Sequence, residues 1–179
     1  MKLIKINGKK VYIRPLHKSD FESFAQTRES KEFRLMCGAS IKSRKPSLKI
    51  KRQEFDKAIT KQSGLWFAII RREDNKYIGH CRLHSISKTD KNAKLAIGLL
   101  GDYFGKSYGT DAIKCLLKFG FKEMNLHKIM LIVLEFNKRA IAAYKKCGFK
   151  KDGILRDNVL IDGKYHHDVV MSILDSDFK

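Results

Sequence analysis

Residues 10–16, KVYIRPL, alternate apolar and polar positions as a strand does, and the run stops at Pro15. Ser19 or Asp20 then caps a helical stretch, DFESFAQTRES, with Phe21, Phe24 and Ala25 on one face. Basic groups crowd residues 42–52 around Pro46 with no acid among them, and a helix is predicted from about Ser47 to Gln62. Three strand-like runs follow. LWFAIIRR ends in EDN, YIGHCRLHSI ends in SKTDKN, and AKLAIGLL ends at Gly101. Such short polar turns predict an antiparallel meander.

Beyond Gly101 the apolar period changes from two to 3.6. Residues 109–124 read as a helix with Ala112, Ile113, Leu116, Leu117 and Phe119 to Phe121 toward the core. KIMLIVLE is nearly continuous in apolar residues, the pattern of a strand buried on both faces. NKRAIAAYKKCGF predicts a second helix closed by Gly148, and KYHHDVVMSIL a last strand. With no repeat or linker, residues 1–179 are expected to form one α/β sheet domain.

A chain of 179 residues can bury enough surface to need neither a metal nor a disulfide. The composition, 43% hydrophobic and 32% charged, excludes collagen-like and low-complexity chains. No apolar run reaches the ~18 residues of a membrane span. The start MKLIKINGKK lacks the apolar core of a signal peptide, so a soluble, cytoplasmic protein is expected. Cys37, Cys81, Cys115 and Cys147 form no CxxC pair, and no metal site is argued. The formal charge of +19 draws anions, or serves solubility alone.

Chemistry concentrates in two stretches. From Tyr103 to Ala112, YFGKSYGTDA joins a strand to a helix, and its small residues at 105, 107 and 109 let a ligand approach the backbone. The first turn of that helix leaves N–H groups unpaired at the positive end of the dipole, a geometry that binds phosphate. The stretch is neither a Walker A loop nor a GxGxxG fingerprint, and a tight turn without ligand fits it as well. The second stretch runs from Glu135 to Phe149. Asn137 is a natural N-cap there, and Tyr144, read alone, is a packing residue.

Taken together, GKSYGTDAI and, about 25 residues later, NKRAIAAYKKCGF resemble the acetyl-CoA-binding half of the GNAT N-acetyltransferase superfamily. The opening YIRPLHKSD, NLHKI before the buried strand and the closing GILRDNVLIDGKYHHDVVMSIL extend the resemblance along the whole chain, least over residues 30–65. The branch resembled holds ribosomal-protein-alanine and spermidine N-acetyltransferases. The resemblance implies a mixed, mostly antiparallel sheet flanked by helices, with a splayed strand pair holding acetyl-CoA and no metal. The pyrophosphate loop falls on Phe104, Gly105, Lys106, Ser107, Tyr108, Gly109 and Thr110. Phe104 stands where the family has Gln or Arg, and Ser107 where it has Gly; Ser107 can offer its N–H if its φ stays negative.

The same resemblance gives the backbone of Leu99 and Leu100 to pantetheine, Asn137 to the cofactor arm, and Tyr144 the role of general acid toward the departing thiolate. A backbone N–H near Leu99 would polarise the thioester carbonyl. Many relatives carry a Glu before the loop to deprotonate the amine, yet Leu95 to Gly98 holds no carboxylate. Glu135, His84, His127 or a water chain are the substitutes, and none is singled out.

The acceptor is expected to be a primary amine. A polyamine would meet a repulsive field, and the acids Asp20, Glu22, Glu29, Glu32, Glu54 and Asp56 are interleaved with basic groups. A protein N-terminus is therefore the leading expectation, with a ribosome or RNA nearby and a homodimer as in many family members. The alternatives are a small amine (polyamine, amino sugar or aminoglycoside), a cofactor-binding protein without catalysis, or a nucleic-acid-binding module. The last is disfavoured because the basic run lacks interleaved aromatics. His166, His167 and Asp168 belong either to the acceptor end or to a solvated hairpin turn.

Overall fold

The computed structural model describes residues 5–40 and 42–178. Strands β1 (Ile6–Asn7) and β2 (Val11–Pro15) lead into helices α1 (Phe21–Glu29), α2 (Lys31–Met36) and α3 (Leu48–Ile59). The meander follows as β3 (Leu65–Arg71), β4 (Tyr77–Ser87) and β5 (Asn92–Leu99). Helix α4 (Tyr108–Lys118), β6 (Lys128–Leu134), α5 (Lys138–Lys146), β7 (Lys150–Ile161) and β8 (Lys164–Leu174) complete the order. All the strands lie in one sheet ordered β1-β2-β3-β4-β5-β6-β8-β7. Every neighbouring pair is antiparallel except β5 with β6.

The sheet carries apolar side chains on both faces, and each face has its own cover. Ile13, Phe67, Ile69, Cys81, Leu83 and Leu95 pack beneath α4, whose Ile113, Leu116 and Leu117 are fully enclosed. On the other face Ala68 and Ile70 meet Phe21, Phe24 and Ala25 of α1 and Phe55 of α3. The Phe24 and Phe55 rings meet edge to face with centroids 5.2 Å apart. Loss of either ring would cost roughly 3–5 kcal/mol. The entry into α1 is fixed by Asp20, which accepts two bonds from Arg14 at 2.7 and 2.8 Å and one from the His17 N–H at 2.8 Å.

Five elements depart from the sequence reading. The helix expected over 109–124 ends at Lys118 and continues as a wide turn over Phe119–Glu123, where the Met124 N–H reaches the Phe119 carbonyl. β6 is not buried on both faces: Ile132 is 44% exposed, because α1 and α3 cover β3 and β4 and do not extend across β5 to it. β1, α2 and β7 were not read from the pattern. β7 is an edge strand with mostly exposed residues, so no face of it needs the apolar alternation that marks a strand in sequence. The basic run divides into an exposed loop up to Ser47 and the first turns of α3. There Lys51 is buried against the Glu29 carboxylate.

No helix among the described residues is long and apolar enough to cross a membrane.

Candidate active site

β5 and β6 pair only from Asn92 to Lys94 against Lys128 to Met130, and beyond that they separate. The meander holds β5 on one side while the β7–β8 hairpin holds β6 on the other, so the gap opens toward Leu99. Hydrogen-bonding direction alternates along a strand. The Leu100 N–H donates to the Ile78 carbonyl of β4 at 2.9 Å, and its own carbonyl accepts from Tyr103 at 3.0 Å. Leu100 therefore has its backbone groups engaged inside the fold, and Leu99 is the residue whose backbone turns toward the opening.

The chain then makes a tight turn over Gly101–Tyr103 and enters α4. Gly105 has φ of +73°, and an added Cβ there would meet nothing within 4 Å. Ser107 also lies in the left-handed region, with φ of +67°. The negative φ set as the condition for its N–H to be offered is not met: the loop keeps the glycine-like conformation, at a cost of order 1–2 kcal/mol for a residue with a Cβ. In return the N–H groups of Ser107, Tyr108, Gly109 and Thr110 make no hydrogen bond to any described residue. Four donors thus lie at the positive end of an eleven-residue helix.

Cations surround this turn. Lys10 Nζ donates to the Lys106 carbonyl at 3.1 Å, and the Arg139 guanidinium lies 3.8 Å from the centre of the Phe104 ring. Arg139 also pairs with Glu32 of α2 at 2.7 Å. The loop is braced from below by Asp111, a residue whose role the sequence did not disclose. Its carboxylate accepts the N–H groups of Lys9, Lys10 and Val11 at 3.0, 2.6 and 2.9 Å. The tie joins positions about a hundred residues apart, and only a fold can bring them together.

Across the gap, Asn137 caps α5 by accepting from the Ala140 N–H at 3.2 Å, as its position suggested. The helix closes at Gly148, φ +96°, with Gly148 and Phe149 donating back to the Lys145 and Tyr144 carbonyls. The end of α5 is anchored to α4 through Cys147 Sγ and the Thr110 carbonyl, 3.5 Å apart. Tyr144 is 8% exposed, its ring against Phe149, and its hydroxyl makes no hydrogen bond to a described residue and retains some solvent contact. Burial, helped by the neighbouring Cys37 and Cys147 thiols, pushes the phenol pKa above its ordinary value. Tyr144 is therefore fully protonated at neutral pH.

The residues weighed as bases scatter. His127 lies at the opposite end of β6, paired with Asp175, and β6 places it roughly 25 Å from Glu135 at the strand's rise per residue. His84 sits on β4, its pKa lowered to about 4 by burial and by Arg82 and Lys94. Glu135 is at the site end of β6, exchanging backbone and side-chain bonds with His167, 4.0 Å from His166 Nδ1. The His166 ring also touches Phe136. His167 accepts from the Asp157 N–H and Asp168 from Asn158, so both brace β7 within the hairpin; the turn itself is at Asp162 and Gly163.

The segment missed in sequence, α2, forms the roof of the other half. Phe33 lies over Gly98, where an added Cβ would come within 2.2 Å of the ring. Gly38 approaches Val159 of β7, and Ser40 donates to Asp162 at 2.5 Å. Cys37 is exposed and near enough to Arg28 and Arg82 for them to favour its thiolate, although surrounding protein raises its pKa. An apolar hollow lined by Leu16, Ala58, Trp66 and Phe119 lies at the start of β3, away from the loop and from Tyr144, and shares Trp66 with the Arg82 surface. No cluster of three metal-ligating side chains occurs among the described residues.

Comparison with known proteins bears on this geometry directly. The family model of the acetyltransferase (GNAT) domain matches residues 10–150. Spermidine N(1)-acetyltransferase of Escherichia coli is 34% identical over 119 residues, 66% of this chain and 63% of that relative, so the match spans less than two thirds of the relative's length. A probable N-acetyltransferase of Bacillus subtilis, YjcK, is 28% identical over 96% of this chain and 98% of its own. The crystal structure of spermidine N-acetyltransferase from Vibrio cholerae in complex with CoA and spermine superposes with a TM-score of 0.83. It is 24% identical, covering 94% of this chain and 97% of that one.

Proposed function

The chain belongs to the GNAT acetyltransferase family, and on that premise we propose that it is an acetyl-CoA-dependent N-acetyltransferase acting on a small-molecule primary amine. The observation that carries this reading is the row of four unengaged N–H groups from Ser107 to Thr110, set at the mouth of the splayed β5–β6 pair. A diphosphate fits there: it needs several donors converging at a helix N-terminus, and Lys10, Lys106 and Arg139 add positive charge. Similarity to two spermidine acetyltransferases favours a small amine over the protein N-terminus that net charge alone suggested.

Acetyl-CoA, when bound, supplies an activated acyl carbon with a thiolate leaving group. The Leu99 N–H, turned into the gap, is placed to receive the negative charge that gathers on an acyl oxygen. Tyr144 holds a proton at its hydroxyl at neutral pH and delivers it to the sulfur as the C–S bond breaks. The amine must lose a proton as it forms the new N–C bond. Glu135, with His166 beside it, is the carboxylate closest to that end of β6 and takes the proton directly or through water.

Calorimetric titration with acetyl-CoA, together with thiol release across a panel of amines and peptide N-termini, tests the reading. One-to-one binding with release on a small amine is the expected result. Protein that does not bind acetyl-CoA would reduce the loop to a turn and overturn it.

A further inference from the structure

The face of β4 and β5 that carries Gly98 continues away from the gap as Ala96 and Lys94, with His80, Arg82 and His84 beside them on β4 and Trp66 on β3. α1 and α2 close this face over His80 and Gly98. Phe24 stacks on His80 at 4.9 Å, and Phe33 meets both. One step further along the strands the cover stops, and Trp66, Arg82, His84, Lys94 and Ala96 are only partly buried. Arg82 pairs in register with Ala96, two residues from Gly98. Strand geometry puts its Cα roughly 8 Å from that of Gly98.

Arg82 has an unusual environment for a half-buried cation. Its guanidinium lies 4.6 Å over the Trp66 ring, and the indole is held by a bond from Nε1 to Ser63 Oγ at 3.0 Å. It makes no hydrogen bond or ion pair with any described residue, and its polar atoms are not sealed from solvent. The nearest acid, Glu54, is taken by Arg28, which grips both carboxylate oxygens at 3.0 and 2.8 Å. Lys94 is close by, and His84 is held neutral. Burial and the Arg28 charge both work against the charged form of Arg82, and the Trp66 ring, Cys37 and Glu54 offset that cost only in part, none of them through a hydrogen bond or ion pair.

Resting on the acetyltransferase reading above, we propose that the acceptor is an amine that also bears a carboxylate, held by the Arg82 fork on the open face of β4 and β5. The stacked, planar guanidinium offers two parallel donors to a carboxylate, the geometry in which Arg differs most from Lys. An anionic group seated there leaves the amine of the same molecule to point along β5, past Ala96 and beside the Phe33 ring that covers Gly98, toward the gap. Lys94 on the same surface reinforces the preference for negative charge, while Arg28 is already paired with Glu54. A polyamine would instead bring its second cation against Arg82 and Lys94, two positive side chains without an ion-pair partner among the described residues.

The test compares amino acids, the same amino acids as primary amides, and spermidine, by thiol release from acetyl-CoA. Wild type is expected to favour each acid over its amide by at least about tenfold in kcat/KM, and Arg82→Gln to abolish the difference through KM. Arg82→Lys should restore only part of it, and acetyl-CoA affinity should be the same in all three proteins. Wild type that acetylates spermidine or the amides as well as the acids, or acetylates no acid at all, overturns the proposal while leaving acetyl transfer intact. Equal losses on acid and amide in Arg82→Gln also overturn it, since a merely structural arginine would give that result. Failure to bind acetyl-CoA overturns the acetyltransferase reading, and this proposal with it.

Discussion

The two halves of the molecule present different parts of the chain to the gap between β5 and β6. The half built from β5, the 100–107 turn, α4 and the start of α5 presents mainly backbone: unengaged N–H groups, left-handed residues and a capping Asn. The other half, roofed by α1, α2 and α3 and flanked by the β7–β8 hairpin, presents side chains from distant segments. Arg82 and Trp66 come from β4 and β3 and Glu135 from the turn after β6, and α2 reaches this side by docking Phe33 on Gly98. Backbone recognition demands particular residue types at fixed spacing. A side-chain surface demands only that the fold bring suitable groups together.

Breaking the second half should cost the most, and most visibly in acid. His80 is enclosed by Phe24, Phe33 and Trp66, bonds to the Tyr77 hydroxyl at 3.0 Å, and has its pKa lowered to about 3, first by burial and then by Arg28 and Arg82. The unfolded chain protonates this imidazole near its ordinary value and the folded protein does not. Its contribution is therefore complete above about pH 6.5 and is lost as pH falls toward the folded value. Between about pH 7.5 and 4.5 wild type should lose about 3 kcal/mol from this group alone. Urea unfolding of His80→Leu at both pH values should give a visibly smaller loss; an unchanged slope would assign acid sensitivity elsewhere.

A cut in the first half should be felt in catalysis without touching stability to the same degree. Tyr144→Phe keeps the ring against Phe149 and removes only the hydroxyl. Its kcat should fall about a hundredfold, with acetyl-CoA affinity unchanged, as removal of a general acid does. Equal turnover by the two proteins at neutral pH would remove Tyr144 from the chemistry.

The smallest change should sharpen the contrast by improving the backbone half. Ser107 holds φ +67° against its preference, so Ser107→Gly relieves strain while enlarging the unfolded ensemble. The net expectation is a gain of up to about 1 kcal/mol in unfolding free energy, with acetyl-CoA bound no more weakly. Weaker binding would show that the Ser107 hydroxyl itself contacts the cofactor.

The order of elements in the backbone half was legible in the sequence, while the end of α4, the φ of Ser107 and the brace by Asp111 were not. The meander, α4 and α5 follow from apolar period, the turn from its small residues, and the ends of α5 from Asn137 and Gly148. These features depend on φ, ψ and caps, which are set within a few residues and so are written locally. Tertiary structure alone decided the rest. It withdrew Leu100 by bonding its N–H to β4, sent His127 and Glu135 to opposite ends of one strand, and exposed Ile132 where no helix reached. It also seated Lys9, Lys10 and Val11 on Asp111, and left Arg82 without an acid because Arg28 had taken Glu54. Which charge remains without a partner depends on every neighbour packed around it, and those neighbours come from all along the chain.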